Sequence, residues 1–230
     1  MIQINDLCFS WKTKKVINIK NLNINPKQHL FIEGPSGSGK STLLSLIAGV
    51  LTPNSGEIKV LGQDLHALSS SQKDSFRADH IGFIFQQFNL IPYLSVIDNI
   101  TLPCSFSTIR KQKAVNRSGD LQSEAIRLLK SLGLTGEALL QRNVNELSVG
   151  QQQRVAAARA MLGSPEIIIA DEPTSALDSA HRDAFISTLF NECEKENITL
   201  IFVSHDSSLK RHFKHNINLA ALNNIKQEQQ

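Results

Sequence analysis

Gly34-Pro35-Ser36-Gly37-Ser38-Gly39-Lys40-Ser41 matches G-x-x-x-x-G-K-[ST] at every fixed position. The apolar run Leu30-Phe31-Ile32 precedes it and Thr42-Leu43-Leu44-Ser45-Leu46-Ile47 follows, so the stretch reads as strand, loop, helix. Its glycines remove the Cβ atoms that would stop the backbone wrapping around a polyphosphate, and the curled amides aim their N–H groups at phosphate oxygens. A helix starting near Lys40 adds its positive end. Lys40 supplies a mobile charge for the β- and γ-phosphates, and the Ser41 hydroxyl suits the oxygen shell of Mg²⁺. The expectation is a nucleoside triphosphate site built from Gly34, Pro35, Ser36, Gly37, Ser38, Gly39, Lys40, Ser41 and Thr42. A short match alone also fits a chance glycine-rich turn; the flanking runs argue against that.

The chain's 230 residues suffice for one large domain or a domain with a small subdomain, and its 41% hydrophobic content is ordinary for a globular protein. No apolar run approaches the roughly 18 residues of a membrane-spanning helix. Met1-Ile2-Gln3-Ile4-Asn5-Asp6 shows no basic start ahead of a long apolar stretch, so the chain is expected to stay in the compartment where it is made. Cys8, Cys104 and Cys193 lie far apart and suit reduced, structural thiols. The net charge is +3, and basic residues are scattered except in Lys12-Thr13-Lys14-Lys15 and Arg110-Lys111-Gln112-Lys113, which argues against a nucleic-acid partner. Both runs read as solvated loops, the second able to lie near an anionic membrane surface.

Residues 2 to 33 read as short strands: Ile2-Gln3-Ile4, Val16-Ile17-Asn18-Ile19, Leu22-Asn23-Ile24 and His29 to Ile32. Glu57 to Leu61 and Ile81 to Phe85 are further strands. From about Leu94 to Leu140 the periodicity becomes helical, with Leu121, Ala125, Leu128, Leu129 and Leu132 on one face, while Ser105 to Asp120 reads as a polar, basic loop. From Val149 come an alanine-rich helix through Met161, a strand at Ile167 to Ala170, a helix from about Ser179 to Lys195 and a strand at Ile198 to Val203. The Gln-rich last residues read as frayed. The expected fold is α/β: a mostly parallel nucleotide-binding core (1–93 and 149–230), an N-terminal antiparallel β part and an inserted helical subdomain (94–148).

A phosphate loop alone leaves kinases, GTPases, helicases and transport ATPases open. Ile167-Ile168-Ile169-Ala170-Asp171-Glu172 narrows the choice, because a continuous apolar run suits a strand buried on both faces. Asp171 at its end is placed to reach Mg²⁺, and Glu172, pointing the other way along the pleat, to polarise a water. Leu147-Ser148-Val149-Gly150-Gln151 and the following Gln152-Gln153-Arg154-Val155-Ala156-Ala157-Ala158-Arg159-Ala160 then resemble the signature motif of ATP-binding cassette ATPases. The resemblance runs over about residues 2 to 206. It implies that Ser148, Gly150 and Gln151 serve the ATP held by a second copy of the chain, in a head-to-tail dimer with two ATP molecules between partners.

Further positions follow in family order. Gln86 resembles the Q-loop glutamine, which touches Mg²⁺ and the attacking water. Ser175-Ala176-Leu177-Asp178 resembles the loop at the dimer seam, with Asp178 at that seam. His205 resembles the switch histidine at the γ-phosphate. Trp11 falls where the family places an adenine-stacking aromatic, with Phe9 as the competing candidate. The resemblance thus implies ATP hydrolysis with Glu172, His205, Gln86 and Lys40 as catalytic residues and Mg²⁺ held through Ser41, Gln86 and Asp171. It also implies a cytoplasmic protein, peripheral at the inner face of the cell membrane, that drives a separate integral membrane permease docked near Gln86 and Gln87 to Leu94. Phe85-Gln86-Gln87-Phe88-Asn89-Leu90-Ile91-Pro92 is most similar to the lipoprotein-release and macrolide-export branch. An importer subunit, a soluble cassette ATPase acting on nucleic acid and an ATP-sensing binding module are the alternatives. Two departures stand out: Val149 replaces the usual signature glycine, and Asn216 to Asn224 lacks the usual acidic-glycine turn, which puts the final hairpin in doubt.

Overall fold

Apolar and polar residues alternate from the first strand onward, and the chain folds accordingly. In the computed structural model, which describes residues 1–136, 139–175 and 177–225 (the backbone alone at 179 and 180), β1 (Ile2–Trp11) buries Ile2, Ile4, Leu7 and Phe9. It pairs antiparallel with β2 (Lys14–Ile24) and with β4 (Ser55–Val60), in register Ile4↔Leu22 and Ile4↔Ile58. With β5 (Gln63–Asp64) they form an antiparallel sheet in the order β2-β1-β4-β5. The two strands read at Val16 to Ile19 and Leu22 to Ile24 are one. The asparagines between them do not break the strand, because they face outward and bond laterally: Asn21 Nδ2 donates to Asn5 Oδ1 at 3.0 Å on β1, and Asn23 Nδ2 to Asn21 Oδ1 at 3.1 Å.

The second sheet is parallel. Its order is β6-β7-β8-β3-β9, with β3 at His29–Glu33, β6 at Ile81–Ile84, β7 at Ile167–Asp171, β8 at Thr199–Ser204 and β9 at His215–Asn218. Its inner strands are buried on both faces, which explains their unbroken apolar runs. The pleat sorts their side chains into two cores. Phe31, Ile84, Ile168, Ala170, Leu200 and Phe202 face the helical part of the chain. Leu30, Ile32, Ile167, Ile169, Ile201 and Val203 face α1 (Lys40–Ile47) and the antiparallel sheet. Each such Leu, Ile or Phe contributes roughly 1.5–3 kcal/mol on burial.

Between Leu94 and Ser131 the chain is mainly helical, with α3 (Val96–Thr101), α4 (Thr108–Ser118) and α5 (Leu121–Ser131), and turns among the described residues lead on to Ser148. The expected loop at Ser105 to Asp120 is therefore wrong. Ser107 caps α4 by accepting from Arg110 N–H at 3.0 Å, and only Arg110 and Ala114 are buried on it, so no row of large apolar residues announced a helix. The basic run is not a solvated loop either. Arg110 is buried, and its guanidinium donates to the carbonyls of Leu162 (2.7 Å), Ala160 (2.8 Å) and Arg159 (3.3 Å). These are the orphan acceptors at the end of α6 (Val149–Met161). Arg127 ties α5 to α7 (Ser179–Lys195) by donating to Glu192 at 2.5 Å while also holding Glu124 at 2.8 Å.

Two elements carried no apolar signal. The first is α2 (Ser70–His80), started by a capping box of Ser69 and Gln72 and without a buried residue of its own. The second is β9, which replaces the final hairpin with a parallel edge strand beside β3, followed by α8 (Leu219–Leu222). The residues read as frayed, 226–230, lie outside the described residues. Gly82 fixes the seat of α6 on the sheet: a Cβ there would lie 2.2 Å from the Ala160 carbonyl oxygen, so only glycine lets the helix approach so closely.

Candidate active site

In a parallel sheet all strands end on the same side, and here the C-terminal ends of β3, β6, β7 and β8 bring the expected residues together. β3 runs into the loop of Gly34, Pro35, Ser36, Gly37, Ser38 and Gly39, and α1 begins at Lys40. Gly39 is left-handed (φ 95°), and a Cβ on it would press on Ile17 Cδ1 at 3.0 Å and the Val16 carbonyl at 3.1 Å. Lys40 Nζ is buried under the loop, donating to the carbonyls of Gly34 (2.7 Å) and Pro35 (3.0 Å) and standing 3.9 Å from Glu172 Oε1. Ser38 Oγ is buried and has no hydrogen-bond partner among the described residues. An orphan hydroxyl inside a loop of amides fits a phosphate oxygen.

Ser41 Oγ donates to Asp171 Oδ2 at 2.7 Å, joining the start of α1 to the end of β7. Burial raises the Asp171 pKa, against the Ser41 hydrogen bond. Two hard oxygens from neighbouring elements fit Mg²⁺, which favours oxygen ligands in a small shell. Glu172 is aimed by more than pleat alternation. It leaves the strand with a left-handed backbone (φ 48°), a conformation that costs a non-glycine residue roughly 1–2 kcal/mol, and its N–H donates to the Val203 carbonyl at 2.9 Å. Its carboxylate is buried and held from both sides, by Ser204 Oγ at Oε2 (3.0 Å) and His205 Nδ1 at Oε1 (2.9 Å). His205 is otherwise largely exposed. A buried carboxylate fixed in this way is equipped to orient a water and take its proton.

Trp11 stands at the rim of a hollow of about 340 Å³ lined also by Lys14, Val16, Gly37, Gly39, Lys40, Ser41 and Thr42. It is 52% exposed, its Nε1 donates to Thr42 Oγ1 at 3.5 Å, and Phe9 packs edge-on beneath it at 5.1 Å. Phe9 is buried, which leaves Trp11 as the aromatic face open to a base.

Ser148 caps α6 in a reciprocal box: its Oγ accepts from Gln151 N–H (3.4 Å), and its own N–H donates to Gln151 Oε1 (2.9 Å). Val149 is 48% exposed, so its side chain points away from the protein rather than into it. The Gly150 carbonyl accepts from Arg154 Nη1 at 2.9 Å. None of the hydrogen bonds of Ser148 or Gln151 reaches Lys40, Asp171, Glu172 or His205 among the described residues, so within one chain the two groups stay unlinked. Asp178 caps α7 by accepting from His181 N–H at 3.0 Å; Ala176 beside it lies outside the described residues. Gln86 is exposed in a turn beyond the end of β6, where the pairing Ile84↔Ala170 sets it beside the Asp171 end of β7.

Sequence reasoning passed over two side chains that organise this region. Gln153 is fully buried on α6 and donates from Nε2 to the carbonyl of Pro173, the residue after Glu172, at 2.6 Å. Arg159, on the same helix, reaches the loop after Gln86. A glutamine run and an alanine-rich helix gave no hint of which members turn inward. The docking segment also divides: Phe88 is buried, whereas Phe85 and Tyr93 are exposed. Phe85 borders a groove of about 820 Å³ with Val50, Phe83, Leu102, Pro103 and Phe106.

The family model described as ABC transporter matches residues 17–175. The uncharacterized ABC transporter ATP-binding protein MJ0796 of Methanocaldococcus jannaschii is 38% identical over 92% of this chain and 89% of its own length. The probable syringafactin export ATP-binding/permease protein SyfD of Pseudomonas syringae is 40% identical over 85% of this chain, and the macrolide export ATP-binding/permease protein MacB of Sodalis glossinidius 38% over 89%. The chain spans only 28% and 30% of those two. A solved structure, the dimeric post-hydrolysis state of the ATP-binding cassette MJ0796 bound to ADP and Pi, matches with a TM-score of 0.82 and 34% identity, covering 96% of this chain and 95% of the other.

Proposed function

The chain belongs to the ABC transporter family and is an ATPase, and from that premise we propose that two copies close around two ATP molecules to drive a separate membrane permease of export or lipoprotein-release type. One observation carries the catalytic part: the buried Glu172 carboxylate, held between Ser204 and His205 and 3.9 Å from Lys40.

Phosphoryl transfer to water depends on positioning and charge neutralisation more than on covalent help. Lys40 exchanges its contacts with the Gly34 and Pro35 carbonyls for the β- and γ-phosphates, and the loop amides with Ser38 Oγ cradle their oxygens. Ser41, Asp171 and Gln86 would hold Mg²⁺, which when bound would neutralise charge on the phosphates. Glu172 orients the water and takes its proton, while His205 keeps the carboxylate in place and meets the γ-phosphate. Trp11 stacks on the adenine. Ser148, Gly150 and Gln151 of the second copy complete the γ-phosphate site with the positive end of α6, and Asp178 lies at the seam. Loss of phosphate removes contacts made by both copies, so the dimer opens.

No helix among the described residues is long and apolar enough to cross a membrane. The groove beside Phe85 and Phe106 suits an inserted helix of the permease. The chain then works on the cytoplasmic face of the membrane, with the permease docked near Gln86 and the segment Gln87 to Leu94, beside the helical subdomain 94–148. Relatives named for macrolide and syringafactin export support the export reading over import.

The test is light scattering coupled to size-exclusion chromatography on Glu172→Gln, with and without ATP and Mg²⁺, beside a turnover assay of the wild type. The expected result is an ATP-dependent dimer, abolished by adding Ser148→Arg, and wild-type turnover at least a hundredfold above the variant. Wild-type turnover no higher than that of Glu172→Gln would sink the catalytic assignment.

A further inference from the structure

Two consecutive residues after Gln86 adopt left-handed backbones, Phe88 at φ 59° and Asn89 at φ 47°. Asparagine tolerates that region; a bulky aromatic rarely enters it, so the surrounding structure must hold the chain there. The Phe88 N–H donates to the Phe85 carbonyl at 3.0 Å, which makes Gln86 and Gln87 the corner residues of a β-turn. The exit of that turn is clamped by one side chain. Arg159 donates from Nη2 to the Phe88 carbonyl at 2.6 Å and from Nη1 to the Asn89 carbonyl at 2.7 Å. No carboxylate pairs with Arg159 among the described residues, and burial alone lowers its pKa, so its charge is balanced by these two carbonyl dipoles. A guanidinium kept without a counter-ion, and spanning two carbonyls with a planar fork, is built for geometry that an ammonium cannot reproduce. The same helix has Ser148 as its cap, roughly 16 Å away along the axis at 1.5 Å per residue.

We propose that Arg159 is a positioning residue for ATP hydrolysis: its fork holds the Phe85–Phe88 turn so that Gln86 faces the metal and the attacking water, and ties that turn to the helix that presents Ser148. This rests on Gln86 serving the metal and the water as set out above. Arg159 does not touch nucleotide; it acts through Gln86.

The test is a double-mutant cycle on steady-state ATP hydrolysis by the full chain, comparing wild type, Gln86→Ala, Arg159→Gln and the double variant, with ATP and Mg²⁺ titrated separately. Arg159→Gln is expected to lower kcat at least tenfold, leave KM for ATP within twofold, and weaken Mg²⁺ binding to the ADP-loaded chain at least threefold by isothermal titration calorimetry; unchanged Mg²⁺ binding beside a wild-type kcat overturns the proposal. The double variant is expected to be no more than twofold slower than Gln86→Ala. Fully multiplicative losses, or a wild-type kcat in Arg159→Gln, overturn the proposal. If a thermal melt shows that Arg159→Gln does not fold, Arg159→Lys replaces it. That variant keeps stem and charge and is expected to lose at least threefold in kcat, with the same non-additivity. Glu172→Gln in the same assay separates the two readings. Full activity in Gln86→Ala beside an inactive Glu172→Gln overturns the role of Arg159 and leaves the catalytic role of Glu172 standing; an active Glu172→Gln overturns the role of Glu172 alone, because the cycle still reads Arg159 through Gln86.

Discussion

Replacing Arg110 with methionine tests whether a buried cation can hold a helix end in place. Arg110 donates to the carbonyls of Leu162, Ala160 and Arg159, and hydrogen bonds to a charged group are worth about 1.5–3 kcal/mol each, or roughly 4–9 kcal/mol together. Burial opposes this. It pushes the Arg110 pKa down from 12.5 to about 10, which at 1.36 kcal/mol per tenfold change in proton affinity corresponds to a cost of about 3 kcal/mol. The difference centres on about 3 kcal/mol, because methionine keeps the apolar stem but leaves the acceptors unpaired. For a chain of this size that lowers the melting temperature by roughly 5–15 °C. Lys111→Met, on the exposed side of the same helix, should change stability by no more than about 0.5 kcal/mol. Urea unfolding of both variants gives the comparison directly. Equal, small effects would refute the reasoning, since they would mean that water serves those carbonyls as well as the guanidinium does.

Other outcomes follow from the same geometry. Trp11→Ala should weaken nucleotide binding about five- to tenfold, the worth of one aromatic stack, with little change in kcat; in the wild type, quenching of this lone tryptophan by nucleotide should report binding. Gly82→Ala should destabilise by about 2 kcal/mol or more and lower solubility on expression, because its new Cβ meets the Ala160 backbone. His205→Ala should cost about a hundredfold in kcat while leaving ATP affinity near that of the wild type, as measured by single-turnover kinetics. His29 gives a pH signature. Both ring nitrogens are buried without a hydrogen-bond partner among the described residues, and burial lowers its pKa from 6.5, against Glu194 and with Lys214. The native state holds the ring neutral while the unfolded chain takes up the proton, so stability present above pH 6.5 should be lost as pH falls, by up to about 1.4 kcal/mol per unit until the native ring also protonates. His29→Gln should remove that slope from urea titrations between pH 7 and 5.

The loops of the candidate site were legible because their sequence signals are local. The run from Gly34 to Ser41, Asp171 and Glu172 after their apolar strand, and the cap at Ser148 declare themselves within a few residues. The same holds for β3, β7 and β8, whose unbroken apolar runs follow from burial on both faces. Elements whose signal is not apolar were lost. α4 buries an arginine and an alanine, and α2 buries nothing of its own, so neither shows a stripe. β2 was split because outward asparagines look like breakers until Asn5 is seen opposite Asn21. Long-range work was invisible for a related reason: nothing in a glutamine run says that Gln153 turns inward to the Pro173 carbonyl while Gln152 serves Val144 and Leu147.

The two carbonyls that hold Lys40 bear on how fast a ligand is captured. By bonding Gly34 and Pro35, the lysine keeps the loop wound in its curled form ahead of any encounter. Most of the ordering entropy of those residues is then spent during folding, and little is left to subtract from affinity. Association can therefore run near the rate set by diffusion and orientation, and differences in affinity among variants of this loop should surface as residence time. A lysine known for meeting phosphate would, on this view, also be a splint.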